Sequence, residues 1–396
     1  MRTHGRCKWF ALGCGLLVWS AVLVRAQTGL GIGGYDLSSA ADRIIAFDYN
    51  SSGKQDHLVC YRPGTGVIWI LQNTAGRFSP VFASSNGIGG YDLKSTNDLI
   101  IPFDYDSSGK MDHLLLYRPG GGAVYILKNV SGTFVPVYAS GNGIGGYNMA
   151  ATTDLIIPFD YNGSGKQDHL LLYRPGNGIC WILQNVGGTF SPVYASAAGA
   201  GIGTYNLMST ADRIIAFDYN STGKLDHLVP YRPGTGIVWV LQNVNGNFSM
   251  VFYSTNGIGT YNLMSTADQV LAYDYSGTGK QDHLILFRPG TGIIWMLQNV
   301  NGTFSMVFWS GGSGIAGYNL TATNDQIVPF DYDSDGKLDH LVLYRPGAGI
   351  CWILQNVQGT FSPVYIQPSS LLDASTPAKE YIYLNDKAVA IESNPQ

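Results

Sequence analysis

Short runs of apolar and aromatic residues, separated by turns rich in Gly, Asn, Ser and Pro, make up most of this 396-residue chain. The first four runs cover residues 43–49, 56–62, 67–72 and 78–83. β-Branched and aromatic residues dominate them, and no long helical periodicity runs through the chain, so the pattern predicts short strands joined by tight turns. The run Val67–Leu71 is apolar throughout, which is typical of a sheet covered on both faces.

The same four runs recur six times, with a period of about 56 residues. Each copy is preceded by a glycine-rich segment that ends in a tyrosine followed by Asp or Asn, and these tyrosines are Tyr35, Tyr91, Tyr147, Tyr205, Tyr261 and Tyr318. Four short antiparallel strands per repeat predict an all-β, six-bladed β-propeller with one four-stranded blade per repeat. The rival architecture, an open solenoid, needs distinctive polar capping repeats at both ends, and the sequence shows none.

The two ends of the chain differ from this pattern. Residues 1–26 have the features of a secretory signal peptide, with a positively charged start, the apolar run 10–24 and a small-residue cleavage site at 24–26. This run is too short for a membrane span, so we expect a secreted mature chain without one. We assign residues 27–366 to the propeller and residues 367–396 to a non-repeating tail with a hairpin or an edge strand. The formal net charge of -4 argues against a nucleic-acid partner.

The register of the first hairpin places Asp42 opposite Arg62, which predicts a cross-strand carboxylate–guanidinium pair at the rim of the blade. The same register gives one such pair in every other repeat: Asp98 with Arg118, Asp154 with Arg174, Asp212 with Arg232, Asp268 with Arg288, and Asp325 with Arg345. Arg–carboxylate forks are strong and often fix strand ends. The pair is therefore a structural clamp, the polar half of a ligand pocket, or both, and the sequence leaves these roles open.

The turn between the first two strands of each repeat is acidic and contains a Gly-Lys pair. In the sixth repeat the spacing is that of an oxygen-ligand Ca²⁺ loop, with the candidate ligands Asp331, Asp333, Asp335 and Asp339. The second repeat keeps a weaker set: Asp104, Asp106 and Asp112. The alternative is a metal-free turn in which Asp, Asn and Ser side chains bond to the backbone. We expect Ca²⁺ in the sixth turn, leave both possibilities open for the second, and favour a metal-free turn or weak binding for the other four.

Seven Asn-x-Ser/Thr sequences are glycan acceptors if the source is eukaryotic, which makes the chain a candidate glycoprotein. They begin at Asn50, Asn129, Asn162, Asn220, Asn247, Asn301 and Asn319.

The acidic glycine turn followed by Asp56-His57-Leu58 resembles the FG-GAP/VCBS blades of integrin-like propellers. The longer cycle has a Gly-aromatic segment before the first strand and an aromatic-Ile-x-x-Asn third strand, here residues 69–73. It is similar to the repeats of secreted fungal and bacterial propeller lectins. The resemblance extends over residues 31–366 and implies a propeller that binds carbohydrate, with glycans or glycoproteins as partners.

In a propeller, the links between blades share one face with the turns between second and third strands, and the acidic turns lie on the other face. The linking face offers aromatic plates, charged groups and glycine-rich backbone, which together suit a sugar. We predict ligand sites in clefts between neighbouring blades, built from the six tyrosines and six Asp–Arg pairs above. The third-strand tryptophans complete the sites as plates, unless they belong to the core between blades: Trp69, Trp181, Trp239, Trp295 and Trp352.

Six nearly equivalent rims favour a multivalent, lectin-like protein, because weak sites on one ring gain avidity on a glycan-coated surface. Glycoside hydrolysis needs two carboxyl groups in different environments, and equivalent rims offer no unique pair. We therefore predict that the chain is not an enzyme and rank a propeller glycoside hydrolase lowest. The other alternative, an integrin-like protein-interaction or adhesion module, requires asymmetric features, of which the sequence has Met208, Met250, Met264, Met306 and Trp309.

Overall fold

The computed structural model describes residues 31–367, 379–384 and 387–393. The predicted signal peptide, residues 1–26, lies outside the described residues. Within them the chain forms six four-stranded sheets and one two-stranded sheet. No helix in this part of the chain has the length and apolar character needed to cross a membrane.

The six large sheets are the blades, numbered here in chain order, and each contains four consecutive strands. Blades 1 and 2 consist of β1 (Arg43–Phe47), β2 (His57–Arg62), β3 (Val67–Thr74), β4 (Arg77–Ser84), β5 (Leu99–Phe103), β6 (His113–Tyr117), β7 (Val124–Val130) and β8 (Thr133–Ser140). Blades 3 and 4 consist of β9 (Leu155–Phe159), β10 (His169–Arg174), β11 (Ile179–Val186), β12 (Thr189–Ala195), β13 (Arg213–Phe217), β14 (His227–Arg232), β15 (Ile237–Val244) and β16 (Asn247–Ser254). Blades 5 and 6 consist of β17 (Gln269–Tyr273), β18 (His283–Arg288), β19 (Ile293–Val300), β20 (Thr303–Trp309), β21 (Gln326–Phe330), β22 (His340–Arg345), β23 (Ile350–Val357) and β24 (Thr360–Gln367). In the tail, β25 (Lys379–Leu384) and β26 (Lys387–Ser393) pair with each other in an antiparallel hairpin.

Within each blade the strands lie in sequence order, and neighbouring strands are antiparallel. Arg43 pairs with Tyr61, so the register of the first hairpin is the one predicted from the sequence. The third and fourth strands shift by one residue between Ile70 and Leu71, and the same bulge recurs in all six blades. The repeat thus specifies not only the strands but also their irregularity.

The first strand is shorter than predicted, because it ends at Phe47 rather than at residue 49. The next residue, Asp48, leaves the ladder and turns its carboxylate onto the acidic turn. There it accepts hydrogen bonds from the main-chain N–H groups of Ser52, at 2.9 Å, and Gly53, at 2.7 Å. Asp48 therefore closes the turn instead of extending the strand.

The six blades form a closed ring, in which β1 lies beside both β5 and β21. The ring is joined at its seam by Asn73 of blade 1, whose side-chain amide donates to the main-chain oxygen of Tyr332 in blade 6 at 2.8 Å. The same bond joins the other five junctions: Asn129 to Tyr49, Asn185 to Tyr105, Asn243 to Tyr161, Asn299 to Tyr219, and Asn356 to Tyr275. The six-bladed propeller is confirmed, and the open solenoid is excluded.

Six apolar clusters fill the spaces between neighbouring blades. Between blades 1 and 2, for example, Phe47 and Ile70 pack with Leu114 and Leu127. Each large apolar side chain buried in this way contributes roughly 1.5–3 kcal/mol. The cysteines Cys60, Cys180 and Cys351 lie in these cores as buried, unpaired thiols.

A buried tyrosine on the second strand adds a polar contact between blades. Tyr61 is 2% exposed, and its hydroxyl oxygen accepts the main-chain N–H of Ile100 in the next blade at 3.2 Å. Equivalent bonds join Tyr117 to Ile156, Tyr173 to Ile214, Tyr231 to Val270, and Tyr344 to Ile44. Phe287 takes this position in blade 5, so the hydroxyl is a feature of five blades.

Candidate functional site

The predicted Asp–Arg pair exists and is joined by the tyrosine of the glycine-rich segment. Tyr35 donates its hydroxyl hydrogen to Oδ1 of Asp42 at 2.8 Å, and Arg62 Nε donates to the same oxygen at 2.7 Å. Oδ2 of Asp42 accepts a second bond from Arg62, at 2.9 Å, and the main-chain N–H of Ser39, at 2.9 Å. Both carboxylate oxygens thus accept two hydrogen bonds, and the side chain of Asp42 is fully buried.

The same arrangement repeats in all six blades. The Arg Nε to Asp Oδ1 distance is 2.7 Å in each, and every one of these aspartate side chains is fully buried. Burial and the neighbouring Asp98 raise the pKa of Tyr91 far above its usual range, so the phenol remains a hydrogen-bond donor. Since the carboxylate accepts a full set of hydrogen bonds, the phenol donates its proton to it, and both groups are hidden from solvent, we assign them to a structural clamp instead of ligand contact. The reassigned residues are Tyr35, Asp42, Tyr91, Asp98, Tyr147, Asp154, Tyr205, Asp212, Tyr261, Asp268, Tyr318 and Asp325.

Two parts of the predicted site remain at the surface. The clamp arginines are 17–26% exposed. Their outer nitrogens reach an exposed Asp or Asn beside the tyrosine, as where Arg174 donates to Asn148 Oδ1 at 2.8 Å. The third-strand aromatic ring stands edge-on to the same tyrosine, with Trp181 and Tyr147 centroids 5.8 Å apart. An aromatic ring, a guanidinium and an amide therefore meet on one rim.

In blade 3 this rim encloses a cavity of about 250 Å³. Its walls include Trp181, Arg174, Asn148 and the small residues Ala197 and Ala198. The two alanines belong to the link after β12, residues 196–212, which is three residues longer than the link after β4, residues 85–98. The cavity is built by one blade and the links on either side of it, so it lies on the rim of blade 3. The predicted ligand sites in clefts between neighbouring blades stay a prediction.

The six rims are not equivalent, because the residue paired with the third-strand aromatic differs. In blades 1–3 it is alanine, and in blade 6 it is Ile366. In blades 4 and 5 it is aromatic: Trp239 pairs with Tyr253 and Trp295 with Trp309. These two pairs, here called the aromatic corners, have ring centroids 5.2 and 6.1 Å apart and interplanar angles of 80° and 61°.

The aromatic corners are open to solvent, with Tyr253 51% and Trp309 57% exposed. The outer strands of the same two blades also lack a proline that the other four blades carry, and Met250 and Met306 are exposed in its place. Proline suits an outer strand because it blocks pairing with another chain. Sequence comparison of the repeats identifies these exceptions, but only the strand pairing shows that the aromatic ones extend the predicted plates.

The sixth acidic turn brings three of its four predicted ligands together. Carboxylate oxygens of Asp331, Asp333 and Asp335 lie within 4.8 Å of one another. Asp339 joins a separate group with Asp333 and His340, and its Oδ1 bonds to His340 Nδ1 at 2.7 Å. The predicted ligand set is therefore divided between two groups that share Asp333.

Asp331 lies at the centre of this turn and is fully buried. Its two oxygens accept the main-chain N–H groups of Asp335, at 3.0 Å, and Gly336, at 2.9 Å. Burial, with an added contribution from the charge of Asp335, raises its pKa to about 6. A cation bound here would relieve both effects, so the donor set fits Ca²⁺, although the same bonds close the turn without one.

The second acidic turn brings together two of its three candidate ligands. Asp106 and Asp112 form a group with His113, while Asp104 is absent from it and is occupied by the N–H groups of Ser108 and Gly109. Across the described residues, the remaining four acidic turns form no such group. The first aspartate of every turn accepts two backbone N–H groups, which is the metal-free closure.

One predicted glycan acceptor is used by the fold itself. Asn129 donates its amide to Tyr49 and accepts the N–H of Gly132 at 2.8 Å, so its side chain is part of a blade junction. Asn50, Asn247 and Asn301 are exposed.

No family profile matches the sequence, and no curated protein matches it. Solved structures of similar fold include a Bacteroides uniformis protein provisionally named as a 6-phosphogluconolactonase, with a TM-score of 0.43 at 11% identity over 78% of this chain and 81% of that chain. They also include the periplasmic gluconolactonase PpgL of Pseudomonas aeruginosa, with a TM-score of 0.40 at 11% identity over 78% and 81%. A third is the β-propeller domain of Cps50 (Swd1) from Myceliophteria thermophila, with a TM-score of 0.42 at 11% identity over 83% and 86%.

These similarities concern the fold alone, and the resemblance to FG-GAP/VCBS repeats stays a prediction. They do correct one expectation. The equivalence of the rims led to the prediction that the chain is not an enzyme, but chains of similar fold are named as gluconolactonases. The prediction that the chain is not an enzyme is therefore withdrawn, and the substrates in those names belong to those proteins.

Proposed function

We propose that the chain is a secreted, multivalent glycan-binding protein that contacts sugars through the rims of its blades. The observation that supports this most directly is the pocket in blade 3, which Trp181, Arg174 and Asn148 line together. An aromatic face suits the apolar C–H face of a sugar, and the guanidinium and amide suit its hydroxyls. The tryptophan and the arginine recur in blades 1, 3, 4, 5 and 6, with Tyr125 as the aromatic in blade 2.

The aromatic corners of blades 4 and 5 make their rims the strongest sites of the set. Trp239 and Trp295 each have an exposed second ring beside them, at interplanar angles of 80° and 61°. A sugar seated in such a corner contacts two rings, and rigid aromatic anchors dominate binding energy at small interfaces. We expect these two rims to bind more tightly than the single-ring rims of blades 1, 3 and 6.

A glycan array with the mature protein, followed by calorimetry on the bound sugar, tests this function. The expected result is selective binding of one sugar class with several sites per chain. Replacing Trp181 by Ala should remove the site of blade 3, and Trp69→Ala should remove the site of blade 1. Each change should leave the other site intact. Absence of binding to every glycan on the array contradicts the proposal.

The exposed methionines favour a second candidate function, an integrin-like protein-interaction module. Met208, Met250, Met264 and Met306 are 49–58% exposed. Met250 and Met306 lie on the outer strands of the two blades that carry the aromatic corners, and Met208 and Met264 lie in the links that precede those blades. Methionine adapts to irregular protein surfaces better than to the hydroxyls of a sugar. Met250→Pro and Met306→Pro install the proline that the other four blades have at this position and leave the aromatic corners intact. Loss of binding to a partner protein in these variants would favour this second function.

We also propose that the sixth acidic turn holds Ca²⁺, through Asp331, Asp333 and Asp335. The closeness of three carboxylates and the raised pKa of the buried Asp331 support this. The turn lies on the face opposite the rims, so the ion would stabilise the turn without touching a bound sugar. Isothermal titration with CaCl₂ measures Ca²⁺ binding by the natural chain and by Asp335→Ser. The variant is conservative, because the other five acidic turns have Ser or Thr at this position.

A further inference from the structure

A second cavity, distinct from the rims, opens on the axis of the ring. It measures about 440 Å³ and lies among the inner strands of blades 6, 1 and 2. The first residues of the six inner strands have the same register and differ in chemistry: Arg43, Leu99, Leu155, Arg213, Gln269 and Gln326. Of these, Arg43, Leu99 and Gln326 line the axial cavity.

Among the described residues, the exposed charge in the axial cavity is positive and has no partner. Arg43 is exposed and has no hydrogen bond or ion pair with any described residue. Of the described residues that line the wall, Asp42 alone has a carboxylate, and it is fully buried and fully occupied by Tyr35, Arg62 and Ser39. Arg213, on the opposite side of the ring, instead donates to the main-chain oxygens of Thr210 and Asp212.

Three tyrosine hydroxyls add hydrogen-bond donors to the same cavity. Tyr344, Tyr61 and Tyr117 line it, and the charge of Arg43 acts on the pKa of each of them. Each hydroxyl oxygen accepts a backbone N–H from the next blade, but no described residue accepts its proton. Burial raises the pKa of all three, so these protons stay in place. A buried donor without an acceptor is costly, and the natural remedy is a ligand or a water that accepts.

We infer that the axial cavity binds an organic carboxylate of the size of a sugar acid. The planar guanidinium of Arg43 matches a carboxylate in a two-bond fork, and a single arginine suits one negative charge better than a phosphate's two. The tyrosine hydroxyls donate to the remaining oxygens, and Gln326, whose amide donates to the main-chain oxygen of Asn324, lines the same cavity. Leu99 and Ile101 provide an apolar wall for a carbon skeleton, and the volume falls in the range of small-molecule pockets.

This inference is independent of glycan binding at the rims. Binding of glucuronate, glucose and inorganic phosphate to the full mature chain would be measured by calorimetry at low ionic strength. We expect glucuronate to bind with one site on the axis, and its affinity to fall with added salt. Arg43→Gln, which installs the residue that blades 5 and 6 have at this position, should weaken glucuronate by about tenfold or more.

Two further variants test whether binding depends on the residues of the axial cavity. Tyr61→Phe copies the natural Phe287 of blade 5 and should weaken the binding of glucuronate severalfold. Arg213→Gln should leave the affinity for glucuronate unchanged. Binding of neutral glycans at the rims should be the same in Arg43→Gln as in the natural chain. The inference is overturned if glucuronate binds Arg43→Gln and the natural chain equally, if it does not bind at all, or if phosphate binds as tightly as glucuronate.

Discussion

The side-chain amide of Asn73 donates a 2.8 Å hydrogen bond to the main-chain oxygen of Tyr332, a residue 259 positions later in the chain. The same asparagine accepts the N–H of Gly76 at 2.9 Å, so one side chain both shapes its own turn and joins the first blade to the sixth. Because the bond recurs at all six junctions, the ring closes with the same contact that connects its other blades. The seam therefore requires no special closing element.

Replacing Asn73 by Ala should destabilise the ring. The change removes two hydrogen bonds and leaves a partly buried carbonyl and N–H without partners, which costs about 2 kcal/mol of unfolding free energy. Asn185→Ala, at an internal junction, is the matched control and should cost about as much. Urea unfolding followed by tryptophan fluorescence measures both. A loss confined to Asn185→Ala would show that the seam is not a junction like the others.

Replacing a clamp residue should lower the stability of the fold, and replacing a contact residue should lower sugar binding. Asp154→Ala leaves Arg174 and the Tyr147 hydroxyl without their shared acceptor and should lower the free energy of unfolding by about 3 kcal/mol. Trp181→Ala should remove one glycan site while the remaining sites bind as before. Calorimetric stoichiometry at a temperature well below both unfolding transitions provides the comparison. If Asp154→Ala weakened the sugar without lowering stability, the assignment of Asp154 to the clamp would be wrong.

The aromatic corners should account for the tightest binding. Trp309→Ala and Tyr253→Ala install the residue that blades 1–3 have at this position, so the strand pairing is expected to persist. Losing one ring of a corner should weaken the affected site by about tenfold, and the double variant should bind like the single-ring rims alone. The converse change, Ala83→Trp, adds a second ring beside Trp69 and should strengthen sugar binding at the rim of blade 1. Equal affinities for the natural chain and the double variant would refute the role of the corners.

The sixth acidic turn should make stability depend on pH and Ca²⁺ together. The folded-state pKa of Asp331, about 6, lies above the ordinary value of 3.8, so the folded chain holds this proton more tightly than the unfolded chain. The contribution of Asp331 to stability is thus fully present below about pH 4 and is lost as the pH rises through 6. Ca²⁺ should restore it, by about 2.7 kcal/mol at a hundredfold excess over its Kd.

Thermal unfolding at pH 4 and pH 7, with CaCl₂ or with a chelator, tests this dependence. Ca²⁺ should raise the unfolding temperature at pH 7 and have no effect at pH 4. Asp335→Ser should abolish the effect of Ca²⁺ at pH 7, since it removes one of the three carboxylates. A natural chain that unfolds at the same temperature with Ca²⁺ and with chelator at pH 7 would establish the metal-free turn.

Secretion from a eukaryotic host should leave Asn129 without a glycan. Its amide is bonded to Tyr49 across a blade junction, and a glycan there would break that bond. The exposed Asn247 and Asn301 are the expected acceptors, with mass spectrometry of tryptic glycopeptides as the measurement. A glycan found at full occupancy on Asn129 in folded protein would show that the junction forms without its amide.

The sequence by itself determined the repeat, the strands, the register and the ring, because each depends on a local pattern copied six times. Asp42 and Arg62, for example, were placed opposite each other by counting residues in one hairpin. It also singled out Trp309 and the four methionines as exceptions, since any departure from a repeated pattern is visible without coordinates.

Tertiary structure alone decided what the repeated residues do. Tyr35 and Asp42 have the chemistry of ligand contacts, but burial and saturated hydrogen bonds make them a clamp, and burial is a property of the neighbouring loops. The pairing that sets Trp309 beside Trp295, and the cavity that gathers Arg43 with tyrosines of three blades, join residues from separate strands or repeats. Contacts of this kind depend on how the strands pair and how the blades pack around the axis. The sequence pattern of a single repeat does not specify this packing.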